Sequence, residues 1–279
     1  LSPRRWLEAF KVAGGEVLRR PAAGFAAFSL FMLLLLGRAR LLAIQTQLCE
    51  PALPGQVDSF RKNIGAIAIA AVMAARWPVL LLAIGMRLKV AASASPWTQA
   101  VGDSCLTAVM FLWGCELMRE VCRRKGIGEK LFNWPADSTA SVRNTLEFTL
   151  LIGTPLLAFL QLSQFSELSD MKAFERLLFV ATMVLCSVQL GLLTRPKGRL
   201  LNSQATDTAE ELKAGASNFA IPSPGILHSL RIPIWLFATF SPLALAILSL
   251  VGYHFSAYQL SARLAETGGT VAAVILGWM

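Results

Sequence analysis

Charge is scarce in this chain. Asp, Glu, Lys and Arg make up 15% of its 279 residues, against roughly 25% in an ordinary soluble domain. That deficit excludes a fully water-facing surface on a body of this size. Acidic residues are the rarer kind, 17 against 26 Lys and Arg, giving a net charge of +9. A basic excess points to nucleic acid only where it forms a solvated face. In this chain the Lys and Arg residues sit in the connections between apolar runs, so no nucleic-acid partner is expected. Histidine is rarer still: His228 and His254 stand far apart without flanking ligand patterns, which argues against a zinc site or a catalytic dyad. The five cysteines (Cys49, Cys105, Cys115, Cys122 and Cys186) form no Cys-x-x-Cys pair, and three lie inside apolar runs. They read as small hydrophobes rather than as a disulfide framework. No nucleophile–base pair, carboxylate dyad or phosphate-cradling glycine loop occurs. Gly126-Ile127-Gly128 has neither the spacing nor the preceding strand of a nucleotide fingerprint. Neither an enzyme nor a cofactor is expected.

What the chain has instead is apolar length. Hydrophobic residues are 55% of the sequence and the mean hydropathy is +0.56. They cluster in runs rather than spreading with a period of 2 or 3.6. A bilayer core is about 30 Å thick, so a spanning helix needs about 20 mostly apolar residues. Segments 21–37, 64–84, 99–118, 146–165, 174–193, 231–251 and 257–279 approach that length. The expected fold class is an all-α polytopic membrane bundle of about seven spans: five within 21–193 and two within 231–279, the last truncated. The first span is short, framed by Arg19, Arg20, Arg38 and Arg40, whose long side chains can reach the headgroups. Residues 194–230 carry Asn202-Ser203-Gln204, small and acidic residues and Pro222-Ser223-Pro224-Gly225, and read as a solvated cytoplasmic loop. The chain starts without Met and ends on an apolar stretch, as expected of a piece of a longer protein.

Residues 1–20 predict a different kind of helix. Ser2-Pro3 is a good start, Ser as N-cap and Pro at the first helical position. Trp6, Leu7, Phe10, Val17 and Leu18 fall on one side, and Arg4, Arg5, Glu8, Lys11, Glu16, Arg19 and Arg20 mainly on the other. Two readings stand: an interfacial amphipathic helix lying along the membrane, or a helix packed on a soluble domain. Orientation follows from Lys and Arg in the connections. Nine fall on the side of the N-terminus and fifteen on the opposite side. The richer side is expected to be cytoplasmic, which leaves the N-terminus outside, although the basic N-terminal flank itself argues the other way.

Charges within apolar runs need a partner, an escape to the headgroups, or a job. Arg76 interrupts the second segment just before Trp77-Pro78, and Asp103 lies in the third. The topology puts both in the outer half, and two readings stand: they pair, or Arg76 snorkels alone. Glu116 and Glu147 are expected at the cytoplasmic interface beside Arg119, Arg123, Arg124, Lys125 and Arg143, where basic residues can hold anionic lipid headgroups or be merely solvated. Arg263 and Glu266, three apart, are neighbours on one helical face. Pro78, Pro155, Pro233 and Pro242 are candidate bending points.

Two motifs carry a family resemblance. Phe132-Asn133-Trp134-Pro135, between a basic connection and a span with an early Arg143, resembles a segment of the large MscS-type mechanosensitive channels of bacteria, the MscK and MscM-like proteins. Gly252-Tyr253-His254-Phe255-Ser256-Ala257-Tyr258-Gln259-Leu260-Ser261-Ala262-Arg263-Leu264 resembles their Gly-Tyr-aromatic turn followed by Ala, Leu and Arg-Leu. The resemblance implies a multi-pass protein of the bacterial inner membrane with its N-terminus in the periplasm. It also implies membrane lipids as partners and a homo-oligomer of seven subunits around one pore. The pore helix and β-rich vestibule would follow Met279, so no pore-lining residue is assigned. These helices lack a continuous polar or small-residue face for conduction, and would form a lipid-embedded periphery that senses tension. A secondary transporter would show repeated halves with broken helices, and no internal repeat is visible. A non-conducting membrane scaffold is the other alternative.

Overall fold

The computed structural model describes residues 3–19, 21–49, 58–91, 95–124, 126–131, 134–165, 172–193 and 225–278. Among these, regular structure is helical throughout. The order is α1 (Pro3–Arg19), α2 (Pro21–Leu48), α3 (Asp58–Ala74), α4 (Arg76–Val90), α5 (Pro96–Val121), α6 (Ile127–Lys130) and α7 (Ala136–Phe148). A π-helical turn (Thr149–Gly153) then leads into α8 (Thr154–Phe165), followed by α9 (Lys172–Leu193), α10 (Gly225–Val251) and α11 (His254–Trp278). The chain divides into two units: Leu1–Trp134 with Leu146–Glu175, and Pro135–Thr145 with Arg176–Met279.

Four helices are long and apolar enough to cross a membrane: Gly24–Leu48, Pro96–Val121, Ala136–Gln164 and Ala173–Leu192. Lys62–Ala74 and Arg76–Val90 make a fifth if the pair, bent by 52°, crosses as one span. The fold is therefore all-α and polytopic, with four to five such spans among the described residues where the sequence predicts about seven. The apolar stretch of α10, Trp235–Val251, is shorter, and α11 carries Arg263 and Glu266 in its first half. The first span also differs from expectation. It does not stop at Gly37 but runs to Leu48, because Ala39, Leu41, Leu42, Ala43 and Ile44 extend the apolar run past Arg38 and Arg40. Residues 194–224 of the expected cytoplasmic loop lie outside the described residues, as do Phe132 and Asn133; Gly225 already begins α10.

Helix α2 shows why lipid is its solvent. Phe25, Phe28, Leu30, Leu33, Leu35 and Ile44 are exposed over more than half of its circumference, and only 6% of its apolar 18-residue stretch is buried. A water-facing helix would reserve one side for polar residues. Phe31 and Gln45 are buried, and Phe31 packs on Trp77 of α4 with ring centroids 5.4 Å apart. Helix α1 docks in the same unit. Trp6 meets Trp97 edge-on at 5.7 Å and Phe159 at 6.3 Å, and Ala9 is buried. Leu7 and Phe10 stay exposed, so the apolar side is divided between packing and outward display.

Helices α4 and α5 make the most extensive contact of any pair. Helix α5 starts where local chemistry requires: Pro96 occupies the first turn, and the Ser95 hydroxyl accepts from the Thr98 N–H at 3.3 Å. Gly85 and Gly102 then let the two backbones touch. A Cβ at Gly102 would lie 2.8 Å from the Lys89 nitrogen and 2.9 Å from the Gly85 carbonyl oxygen. Small residues at such crossings are the general route to tight helix packing in lipid. Beyond the far end of α5, Cys49, Ala66, Ala70, Val121 and Ile127 form a buried cluster flanked by Leu48, Leu117, Leu131 and Trp134.

In the second unit, α10 ends in a Schellman motif. Tyr253 N–H donates to the Leu248 carbonyl (3.1 Å) and Gly252 N–H to that of Ser249 (3.3 Å). Gly252 sits at φ 117°, a conformation only glycine takes without strain. The ring of His254, whose Nδ1 lies 2.8 Å from the Ser249 hydroxyl, stacks edge-on against the fully buried Phe179, 5.3 Å away. Tyr258 covers the same ring at 6.3 Å. The Ser187 hydroxyl donates to the Thr239 carbonyl at 2.7 Å and the Trp235 indole to that of Gly191 at 3.2 Å, tying α9 to α10. Pro233 and Pro242 lie within the continuous helix α10.

Gly102→Val forces a branched side chain into backbone atoms and is expected to destabilise the protein by about 1–3 kcal/mol. Gly114→Val, at a position where a Cβ meets nothing within 4 Å, is expected to be far milder. Thermal unfolding in detergent compares the two.

Candidate functional site

The site begins at a break in the backbone. Pro78 has no N–H for the Ala74 carbonyl and its ring crowds that oxygen. Helix α3 therefore stops at Ala74, and Ala75 N–H turns to the Val72 carbonyl (3.2 Å) instead of that of Ala71. The Ala71 carbonyl takes its bond from elsewhere: the Trp113 indole of α5 donates to it at 3.2 Å. A second helix thus caps the break. Arg76, the first residue after it, is 7% exposed.

Buried carboxylates on α5 face this arginine. The sequence Glu116-Leu117-Met118-Arg119-Glu120-Val121-Cys122-Arg123 repeats Glu-x-x-Arg at a four-residue step, so both carboxylates share one side of the helix. Each is 3% exposed and each serves two guanidinium groups. Glu116 Oε2 lies 3.8 Å from Arg76 Nη2 and 3.5 Å from Arg119 Nε. Glu120 Oε1 accepts from Arg38 Nη2 of α2 at 3.4 Å, and its Oε2 lies 3.5 Å from Arg123 Nη1. Four arginines against two glutamates leave two positive charges in the network. It ties α2 to α5 through Arg38 and Glu120, and α4 to α5 through Arg76 and Glu116.

Register explains which charges meet. Helices α4 and α5 run antiparallel, so thirteen residues from Arg76 to Lys89 match thirteen from Glu116 back to Asp103. At 1.5 Å per residue both intervals are about 20 Å. The matching ends are both paired: Arg76 with Glu116, and Lys89 Nζ with Asp103 Oδ1 at 2.7 Å. This corrects the expected pairing of Arg76 with Asp103. Arg76 sits at the level of Glu116, a helix-length away from that aspartate. Snorkelling alone does not describe it either, because its side chain is buried against a carboxylate.

The other expected residues are dispersed. Arg119 and Arg123 belong to the network, three-quarters buried. Arg124 is exposed beside it, and Lys125 lies outside the described residues. Arg143 is half-buried and belongs to the second unit. Glu147 is exposed. Arg263 Nη1 and Glu266 Oε2 pair at 3.2 Å on the exposed side of α11. Sequence reasoning missed Arg38, Glu120 and Lys89 as partners. The doubled Glu-x-x-Arg spacing was the available signal for Glu120.

Just past the span, Cys122 is 1% exposed, and burial pushes its thiol from an ordinary 9.0 up to about 11. Cys49, in the buried cluster, is also raised by burial, against the pull of Lys130 and Arg123. The thiolate is the reactive form, so a raised pKa lowers reactivity at neutral pH by up to about 100-fold for two pH units. Maleimide labelling of Cys122 is expected to be very slow at pH 7 and to climb about tenfold per pH unit up to pH 10. Peptide mass spectrometry after timed labelling checks this; fast labelling at pH 7 contradicts it. Removing one partner of a buried pair strands the other, at about 3–5 kcal/mol. Glu116→Gln is therefore expected to lower stability by about that much, and Arg76→Gln added to it to cost far less than its own single effect. Arg76→Gln and Asp103→Asn are expected to add independently. Thermal unfolding of the two double-mutant cycles distinguishes coupling from additivity.

The comparisons with known proteins agree with a lipid-embedded helical body. No curated protein and no solved structure matches the chain. The family described as mechanosensitive ion channel inner membrane domain 1 matches residues 21–279, which spans every apolar helix from α2 to α11. The chain is thus a multi-pass inner-membrane region of a mechanosensitive ion channel, and it belongs to the mechanosensitive ion channel inner membrane domain 1 family.

Proposed function

We propose that these helices are the peripheral, tension-sensing part of a large channel of the MscK and MscM-like kind, which opens on membrane stretch to release ions and osmolytes. The observation that carries the reading is the family match over residues 21–279. The outward apolar surface of α2 supports it, with only 6% of its apolar 18-residue stretch buried. Seven spans in total, an N-terminus in the periplasm, a cytoplasmic connection over 194–230 and seven subunits around a pore built from other residues complete the proposal.

Membrane tension favours whichever conformation occupies more area in the bilayer plane. A peripheral helix contributes to gating only through a difference in its interaction with lipid between closed and open states. Helices exposed to lipid on most sides have a large surface on which such a difference can act. A region held rigidly to its neighbours transmits tilt rather than absorbing it. The α4/α5 glycine crossing and the charge network make the first unit such a body. The bend at Ala75 is the point where it can change shape, because that backbone is already interrupted.

Patch-clamp of the full-length protein under suction is expected to show a stretch-activated current, and its absence removes the proposal. Pro78→Ala restores a donor for the Ala74 carbonyl and is expected to shift the tension threshold without changing single-channel conductance. A changed conductance would place these helices at the pore.

A further inference from the structure

We propose that the arginine network on α5 is a binding site for an oxyanion of the phosphate class, held by Arg119 and Arg123 of α5 and Arg38 of α2. The inference rests on the charge and geometry of the network and not on the channel reading.

Charge is the first ground. Arg38, Arg76, Arg119 and Arg123 face Glu116 and Glu120 alone among the ion pairs described. Two positive charges are left uncompensated within a largely apolar body, and uncompensated charge there is costly. A phosphodiester would remove one of them and a phosphate dianion both.

Hydrogen bonding is the second. Of the four close contacts only that of Arg38 with Glu120 is a hydrogen bond; the others lie at 3.5–3.8 Å without meeting donor geometry. Arg38 Nε, Arg76 Nε and Arg123 Nη1 are buried and have no acceptor. Three different arginines thus hold donors in reserve. Glu116 Oε2 and Glu120 Oε2 lack donors too. Bridging water would serve all five atoms but would leave the charge unchanged, so water and an anion are distinguishable by experiment.

Access is the third. The Arg76 side chain is 8% exposed, whereas those of Arg38, Arg119 and Arg123 are 41%, 27% and 23% exposed. Arg119 and Arg123 are one turn apart on the same face, about 6 Å between Cβ atoms, and Arg38 approaches the same carboxylate as Arg123. Three partly exposed guanidinium groups therefore belong to one network, with planar forks suited to phosphate oxygens. The glutamates hold these forks in place while the arginines outnumber them. The ligand is either the headgroup of an anionic phospholipid or free phosphate.

The test uses full-length protein and two readouts. In neutral phosphatidylcholine nanodiscs, inorganic phosphate is titrated at constant ionic strength against chloride. In a parallel series the phosphatidylglycerol fraction is raised from zero. Thermal stability is followed in both. Saturable stabilisation by phosphate identifies a free oxyanion, and stabilisation by phosphatidylglycerol alone identifies a headgroup. Arg119→Gln with Arg123→Gln is expected to weaken the apparent affinity at least tenfold, while Lys at both positions retains most of it. Glu116→Gln raises the net charge of the network and is expected to tighten binding, although it lowers stability without ligand; a purely structural role predicts no such opposition. No response in either series, an equal response to chloride, or weakened binding by Glu116→Gln would overturn the site. Stretch-activated current is measured separately, so the two proposals fail independently.

Discussion

The backbone crossing of α4 and α5 at Gly85 and Gly102 is the contact on which the remaining structure of the first unit depends. Side chains adapt to one another within an ångström or so, whereas two backbones in contact fix height and rotation together. Once that crossing is set, the antiparallel register follows. Arg76 then falls opposite Glu116 and Lys89 opposite Asp103 without further choice. Any larger residue at Gly102 would meet the Lys89 nitrogen or the Gly85 oxygen at less than 3 Å.

From that register the rest of the charge network assembles. Helix α5 carries its two carboxylates one turn apart, and α2 reaches the second of them with Arg38. Trp113 satisfies the carbonyl that the Ala75 break leaves open, so a bend made by Pro78 in one helix is completed by a residue of another. Buried ion pairs are poor evidence of stability in themselves, because desolvation offsets much of the attraction. Their better-supported role is to define a unique arrangement. In lipid, where an apolar helix such as α2 slides past its neighbours with little penalty, that role is the more important one.

Much of this is legible in the sequence, and the failures have a pattern. The all-helical membrane class follows from the lack of charge and the long apolar runs. The turn at Gly252-Tyr253 is marked by the motif that carries the family resemblance. The length of α2 is hidden because Arg38 and Arg40 look like a boundary. Only the partner Glu120, 82 positions away, shows why an arginine sits within the helix. The partner of Arg76 is hidden for a related reason. Its depth depends on the bend at Ala75 and the Gly85–Gly102 crossing, and neither a hydropathy profile nor a charge count contains the relative height of two helices. Local signals announce elements; register between elements has to be observed.

The α4/α5 register is most directly tested by a disulfide. A Cβ at position 85 would lie 3.1 Å from that of native Cys105, within a small adjustment of the roughly 3.5–4.5 Å a disulfide needs. Gly85→Cys is introduced with Cys49, Cys115, Cys122 and Cys186 changed to Ser, and the protein is mildly oxidised in membranes. A crossing at Gly85 and Gly102 predicts an intramolecular 85–105 bridge, detected by mass spectrometry of the digested protein, and none from Arg76→Cys in the same background. A bridge formed from position 76, with position 85 unreactive, would contradict it.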